Sequence, residues 1–356
     1  MTAAALWARL SADGLVEGEM PEPDRPASPW YVRAMLGIAG WIGALFLLGF
    51  VAAAFAFLMK DSTSALLVGA ACCGGAFGLF RGFDGNDFAE QFGLAVSLAG
   101  QGMMIIGLAD IFDRGALLYI AIAAMQVALA LIVPNFLHRV LATCGAAIAV
   151  ALAINAAALH GLSAPLLCLG LALVWLEPRV WAAGGKLWRP AGYGLVLALL
   201  LVETFRLFGA GLLFEPAQAS RWIAIHGPLI GRALTAAVLL FVAISLIVRE
   251  GLSPNSPTAL TATAAAVVLG LVSLTAPGLA SALLILLLGF AAGNRLLTAA
   301  GILSLLGFVA HFYYSLHATL LEKSGILAVT GLCLLAAWFA LERDSGASRT
   351  VDPGHA

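Results

Sequence analysis

Glu203, Arg206, Arg232, His311, Tyr314, His317 and Lys323 are the side chains in this sequence best suited to binding or proton chemistry. A carboxylate or an imidazole can take up and release a proton. Guanidinium and ammonium groups hold phosphate or carboxylate. Glu203 and Arg206 stand at a spacing of i, i+3, so a helix puts both on one face, where they can pair. Two readings of that pair stay open: an internal ion pair that locks two helices, or a substrate or ion site. His311 is a candidate proton relay. His311 and His317 do not share a helical face, which makes them a poor metal pair. Tyr313 and Tyr314 suit anchoring at a membrane interface. Glu322 and Lys323 suit a solvated helix start.

The elements that must position these groups are written in the composition. The chain of 356 residues is 62% hydrophobic and 10% charged, whereas a soluble domain carries about 25% charged residues. Apolar runs long enough to cross a bilayer as helices recur along the chain. They predict an all-α polytopic bundle of about twelve spans, at 34–58, 64–80, 88–109, 115–133, 138–159, 162–177, 189–209, 227–248, 257–275, 278–293, 296–316 and 324–341. Ahead of them, residues 1–33 hold a short amphipathic segment, with Leu6, Trp7 and Leu10 on one face, and a linker stiffened by Pro21, Pro23, Pro26 and Pro29. No cleavable signal is expected, because the first apolar run begins near Ala34 and is long enough to span. Residues 343–356 form a short polar tail. The connection 210–226, with Leu212, Phe214 and Trp222, reads as interfacial or re-entrant. The 39 glycines suit close packing of helices in lipid.

Basic residues set the expected orientation. With the N-terminus inside, twelve of the 18 Lys and Arg residues fall on the cytoplasmic side and both termini lie in the cytoplasm. Ser64-Ala-Leu-Leu, Ser163-Ala-Pro-Leu-Leu and Ser281-Ala-Leu-Leu open the second helix of three four-helix units, 34–136, 137–250 and 257–342. Packed around one centre, these units would gather Asp110, Glu203, Arg232, His311 and Lys323 into an outward-facing polar cavity. On the inner side, Asn86 and Asp87 read as a helix cap. Arg179, Lys186 and Arg189, interleaved with Trp181 and Trp188, read as a surface stretch drawn to anionic lipid. The five cysteines all lie in apolar runs and read as buried small hydrophobes. No metal site, cofactor motif or catalytic motif is implied, and a net charge of −1 gives no reason to expect nucleic acid.

Two stretches carry a resemblance to a known family. Tyr313-Tyr314-x-Leu316-x-x-Thr319-Leu320-Leu321-x-Lys323-Ser324 and Ser28-Pro29-Trp30-Tyr31-Val32-Arg33 are similar to the bacterial domain-of-unknown-function 4401 family, over about Leu6 to Leu341. The resemblance implies a multi-pass inner-membrane protein and brings no catalytic residues. It also implies a complex with membrane proteins encoded nearby. Three functions follow as expectations: a transporter or flippase-like carrier, a membrane-embedded enzyme acting on a lipid-linked or glycan substrate at the outer face, or a non-catalytic assembly partner. Span centres hold few polar groups, chiefly Gln101, Gln126 and Asn155, which suits an apolar or lipid-like cargo better than a polar solute.

Overall fold

A computed structural model describes residues 3–14, 16, 18, 30–54, 61–83, 86–112, 115–207, 221–253 and 255–315. All regular structure among them is helical. Helix α1 is Ala3–Ala12, followed by α2 Trp30–Ala54, α3 Ser62–Gly82, α4 Asp87–Ile111, α5 Ala116–Ile132 and α6 Phe136–Ala156. Then come α7 Ser163–Leu176, α8 Pro178–Leu207, α9 Arg221–Arg249, α10 Pro257–Ser273, α11 Leu279–Ala291 and α12 Arg295–Ser315. The apolar runs read from the sequence overlap α2 to α12, and α1 covers the amphipathic segment; residues 221–226, expected in the outer connection, instead open α9, while 208–220 lie outside the described residues. The last expected run, 324–341, lies outside the described residues, as do His317, Glu322, Lys323, Arg114 and Arg179's side chain.

Local chemistry explains where the helices begin. Asp61, Asn86, Asn135 and Ser256 each accept a hydrogen bond from the backbone N–H three residues on. Asn294 does the same for Leu297 at the start of α12. Each side chain satisfies one of the N–H groups a helix leaves unpaired at its N-terminus. Asn86 is thus the cap expected from its sequence context. Gly184 departs from helical backbone within α8 and separates a first turn from the long segment after it.

Among the described residues, six helices are long and apolar enough to cross a membrane: α3, α4, α6, α8 from Gly184, α9 from Ile225, and α12. The helices α5, α7, α10 and α11 are apolar but shorter. At about 1.5 Å per residue, a helix the length of α11 spans only about 20 Å of a hydrocarbon core about 30 Å thick. Packing compensates for α7 and α11. Cys168, Leu171 and Ala172 on α7 and Leu284, Ile285 and Leu288 on α11 are buried in the main core with Leu199, Val202, Leu239 and Val242. The two short helices sit among longer neighbours.

A second cluster, of Ala76, Phe80, Leu94 and Val133, joins α3, α4 and the end of α5. Glycine sets its spacing. A Cβ on Gly69 would stand 2.6 Å from the Gly100 carbonyl oxygen, and one on Gly100 would stand 2.7 Å from that of Gly69. The α3 and α4 backbones touch there, as small residues permit in lipid. Meanwhile the periphery is apolar. Met35, Phe46 and Phe50 on α2, Leu271 on α10 and Leu303 on α12 are all exposed. An apolar rim around a core that holds Glu203, His138 and Gln101 inverts the soluble pattern and supports a membrane protein.

Ser62 at the start of α3 meets Asp110 at the end of α4, Gly161 before α7 meets Gly227 and Gly231 on α9, and Arg232 on α9 meets Leu274 after α10, so these helices alternate in direction between two ends of the bundle. The turns α3–α4, α5–α6, α7–α8, α9–α10 and α11–α12 share one end, which carries Arg81, Arg139, Lys186, Arg189, Arg249 and Arg295.

Candidate functional site

At this basic end the helices part around a cleft of about 1650 Å³. Its walls come from the first turns of α6 and α12, the segment after Gly184 in α8, and the last turns of α7, α9 and α11. Five cations line it, Arg139, Lys186, Arg189, Arg249 and Arg295, and no acidic residue does among the described residues. Phe136, Trp175 and Tyr193 form an aromatic wall. Tyr193 meets Trp175 edge-on at 5.6 Å between ring centroids and Phe136 at 6.1 Å. The Asn294 amide donates to the Tyr193 hydroxyl oxygen at 2.6 Å, which fixes the ring against the start of α12.

Arg139 has a different task from the other four. Proline has no backbone N–H, so the carbonyl four residues before it loses its helical donor. Pro134 deprives Ala130 in this way, and Pro190 deprives Lys186. The Arg139 guanidinium answers both: Nε donates to the Ala130 oxygen at 3.1 Å and Nη1 to the Lys186 oxygen at 3.0 Å. One side chain thus ties the end of α5 and the α8 segment to α6, and holds the cleft's floor. Lys186, Arg189, Arg249 and Arg295 are exposed, and none is paired with a carboxylate among the described residues. A cleft with walls of one sign focuses its potential inward. Arginine forks suit planar oxyanions, which they bind through two parallel hydrogen bonds.

Residues 29–344 match the model of a family described as Domain of unknown function (DUF4401). The chain belongs to the DUF4401 family. No curated protein matches it. No solved structure matches it either. The matched region takes in every residue of the cleft, so in this DUF4401 protein the cleft is part of the family domain itself.

Of the residues singled out from the sequence, Glu203, Arg206, Arg232, His311 and Tyr314 lie among the described residues. Glu203 is buried at 5% exposure in the main core. Its Oε1 accepts a hydrogen bond from the Ser281 hydroxyl at 2.8 Å, and the Cys168 thiol lies 3.8 Å from that hydroxyl. Its partner is therefore Ser281 across α8 and α11, not Arg206, which is half-buried one turn further along α8. Arg232 donates from Nη1 to the Leu274 carbonyl at 2.9 Å, capping the end of α10. His311 is half-buried on α12, and Tyr314 is 80% exposed. No hydrogen bond or ion pair joins Glu203, Arg206 and Arg232 to one another among the described residues. Asp110 accepts from the Ser62 hydroxyl and clips α3 to α4 at their shared end.

Sequence reasoning missed an enclosed polar cluster. His138 has no exposed surface, and its Nε2 lies 2.8 Å from the Ser97 hydroxyl and 3.2 Å from the Gln101 amide nitrogen. The Gln101 amide also donates to Ser97 Oγ at 3.2 Å. Phe80 closes the cluster edge-on at 6.1 Å. This network locks α4 to the first turn of α6, next to Arg139. The signal was present: Ser97 and Gln101 stand at i, i+4, a polar pair on one face of an apolar helix.

Proposed function

We propose that this protein is a carrier of the bacterial cytoplasmic membrane, a transporter or flippase. The observation that supports the reading most is the cleft of about 1650 Å³ at the basic end, open between six helix ends and lined by aromatic rings and by cations with no carboxylate partner among the described residues. The basic end would face the cytoplasm by the rule that Lys and Arg gather there. With twelve spans, both termini would lie on that side. The open space would then face inward, while the set around Glu203, Arg232 and His311 would form the outer cavity when the helices shift. Glu203 behind Ser281 would be the closed side of such an exchange. A complex with membrane proteins encoded nearby is consistent with the exposed apolar face of α2.

The test is reconstitution into liposomes and measurement of how fast a labelled anionic lipid crosses the bilayer. Movement faster than in protein-free liposomes supports a carrier. Equal rates in both, with protein that remains folded, sink it.

A further inference from the structure

We propose that the basic cleft is a binding site for a phosphate-bearing group, held by Lys186, Arg189, Arg249 and Arg295 with the organic remainder against Trp175 and Tyr193. This names the ligand class for the cavity on which the carrier reading rests. Four cations that serve only to orient the chain in a membrane need not face one another. Here they arrive from α8, α9 and α12 and line a single space. Bringing like charges together without carboxylates is unfavourable unless an anion joins them. A doubly charged phosphate or a diphosphate matches four donors better than a single carboxylate does, because its oxygens can engage several forks at once.

The N-terminal ends of α6, α12 and the long segment of α8 share the cleft wall with the C-terminal ends of α7, α9 and α11, so the helix dipoles offset one another and the side-chain cations carry the attraction. The aromatic side gives the ligand a second half. Tyr193 is held by Asn294, and Trp175 stands against it, so an apolar or sugar-like portion meets a fixed surface. A lipid headgroup and a free phosphate compound share this chemistry.

The experiment is equilibrium binding to the purified full-length protein in an uncharged detergent. Dioctanoyl phosphatidate, dioctanoylglycerol and inorganic pyrophosphate serve as probes. Dioctanoyl phosphatidate is expected to bind saturably and to weaken as salt rises. The pair Arg249→Gln with Arg295→Gln is expected to weaken it by about tenfold or more. Arg81→Gln is the control, since Arg81 lies at the same end but stacks on Phe77 at 4.9 Å outside the cleft. Its affinity should stay as in the parent. Lys186→Gln with Arg189→Gln provides a second variant should the first fail to fold.

Pyrophosphate competing with phosphatidate would mark a site for the phosphate itself. Phosphatidate bound without such competition would mark a lipid headgroup site. Either supports the proposal. Binding of neither, equal binding of dioctanoylglycerol, or an equal loss on Arg81→Gln would overturn it. Intact binding with no lipid movement in liposomes would instead overturn the carrier and leave this site standing.

Discussion

The two ends of the bundle use their arginines in opposite ways. At one end Arg232 spends a donor on the Leu274 carbonyl, and nearby Glu203 is sealed in the core with Ser281 as its partner. At the other, Lys186, Arg189, Arg249 and Arg295 surround a cleft with no carboxylate among its described walls. At the first end the fold itself uses Arg232 and Glu203. The second has charge left over after the fold is made. Groups that remain unspent are the ones available to a ligand, so ionisable residues at membrane depth are not by themselves evidence of a site.

Charge reversal is the strongest way to break this contrast. Arg249→Glu with Arg295→Glu should abolish binding of dioctanoyl phosphatidate, while Arg206→Glu with Arg221→Glu at the opposite end should leave it unchanged in the same assay. A loss in both would mean that only total charge matters. Next in size is Arg139→Ala, which strands the Ala130 and Lys186 carbonyls and should lower stability by roughly 2–4 kcal/mol, read as thermal unfolding in detergent. Glu203→Ala should cost about 2–3 kcal/mol by leaving Ser281 unpaired beside a small cavity. Glu203→Gln keeps an acceptor for Ser281 and should stay within about 1 kcal/mol of the parent. If Glu203→Gln unfolds the protein as readily as Glu203→Ala, the carboxylate has a partner other than Ser281. Arg232→Met should cost about 1–2 kcal/mol through the Leu274 carbonyl. Tyr314→Phe, at an exposed position, should change stability by less than about 0.5 kcal/mol.

Helix positions were legible in the sequence because a lipid-facing rod needs a continuous apolar run, and turns need polar or capping residues. Asn86 illustrates this: a cap signal three residues ahead of its N–H partner is local information. The short helices α7 and α11 were legible as apolar but not as interior, since burial by neighbours leaves no mark on composition. Partners were the least legible. Glu203 and Arg206 are near in sequence, yet Ser281 wins because α11 packs against α8 there. The cleft's cations come from turns distant in the chain, and sequence alone cannot say which turns meet. In the linear reading Lys186 and Arg189 were a surface stretch, and Arg249 and Arg295 were markers of orientation. His138 enters no motif in the sequence, and only the fold brings Ser97 and Gln101 to it.

Arg139 couples three positions that no pairwise comparison would group. Replace Pro190 with alanine, and the helix regains its own donor to the Lys186 carbonyl, so one arm of the guanidinium is released toward the cavity. Replace Arg139 alone, and two prolines that were harmless become liabilities. Substitutions at residues 134, 139 and 190 therefore should not add, and the order in which they are introduced decides whether each is tolerated.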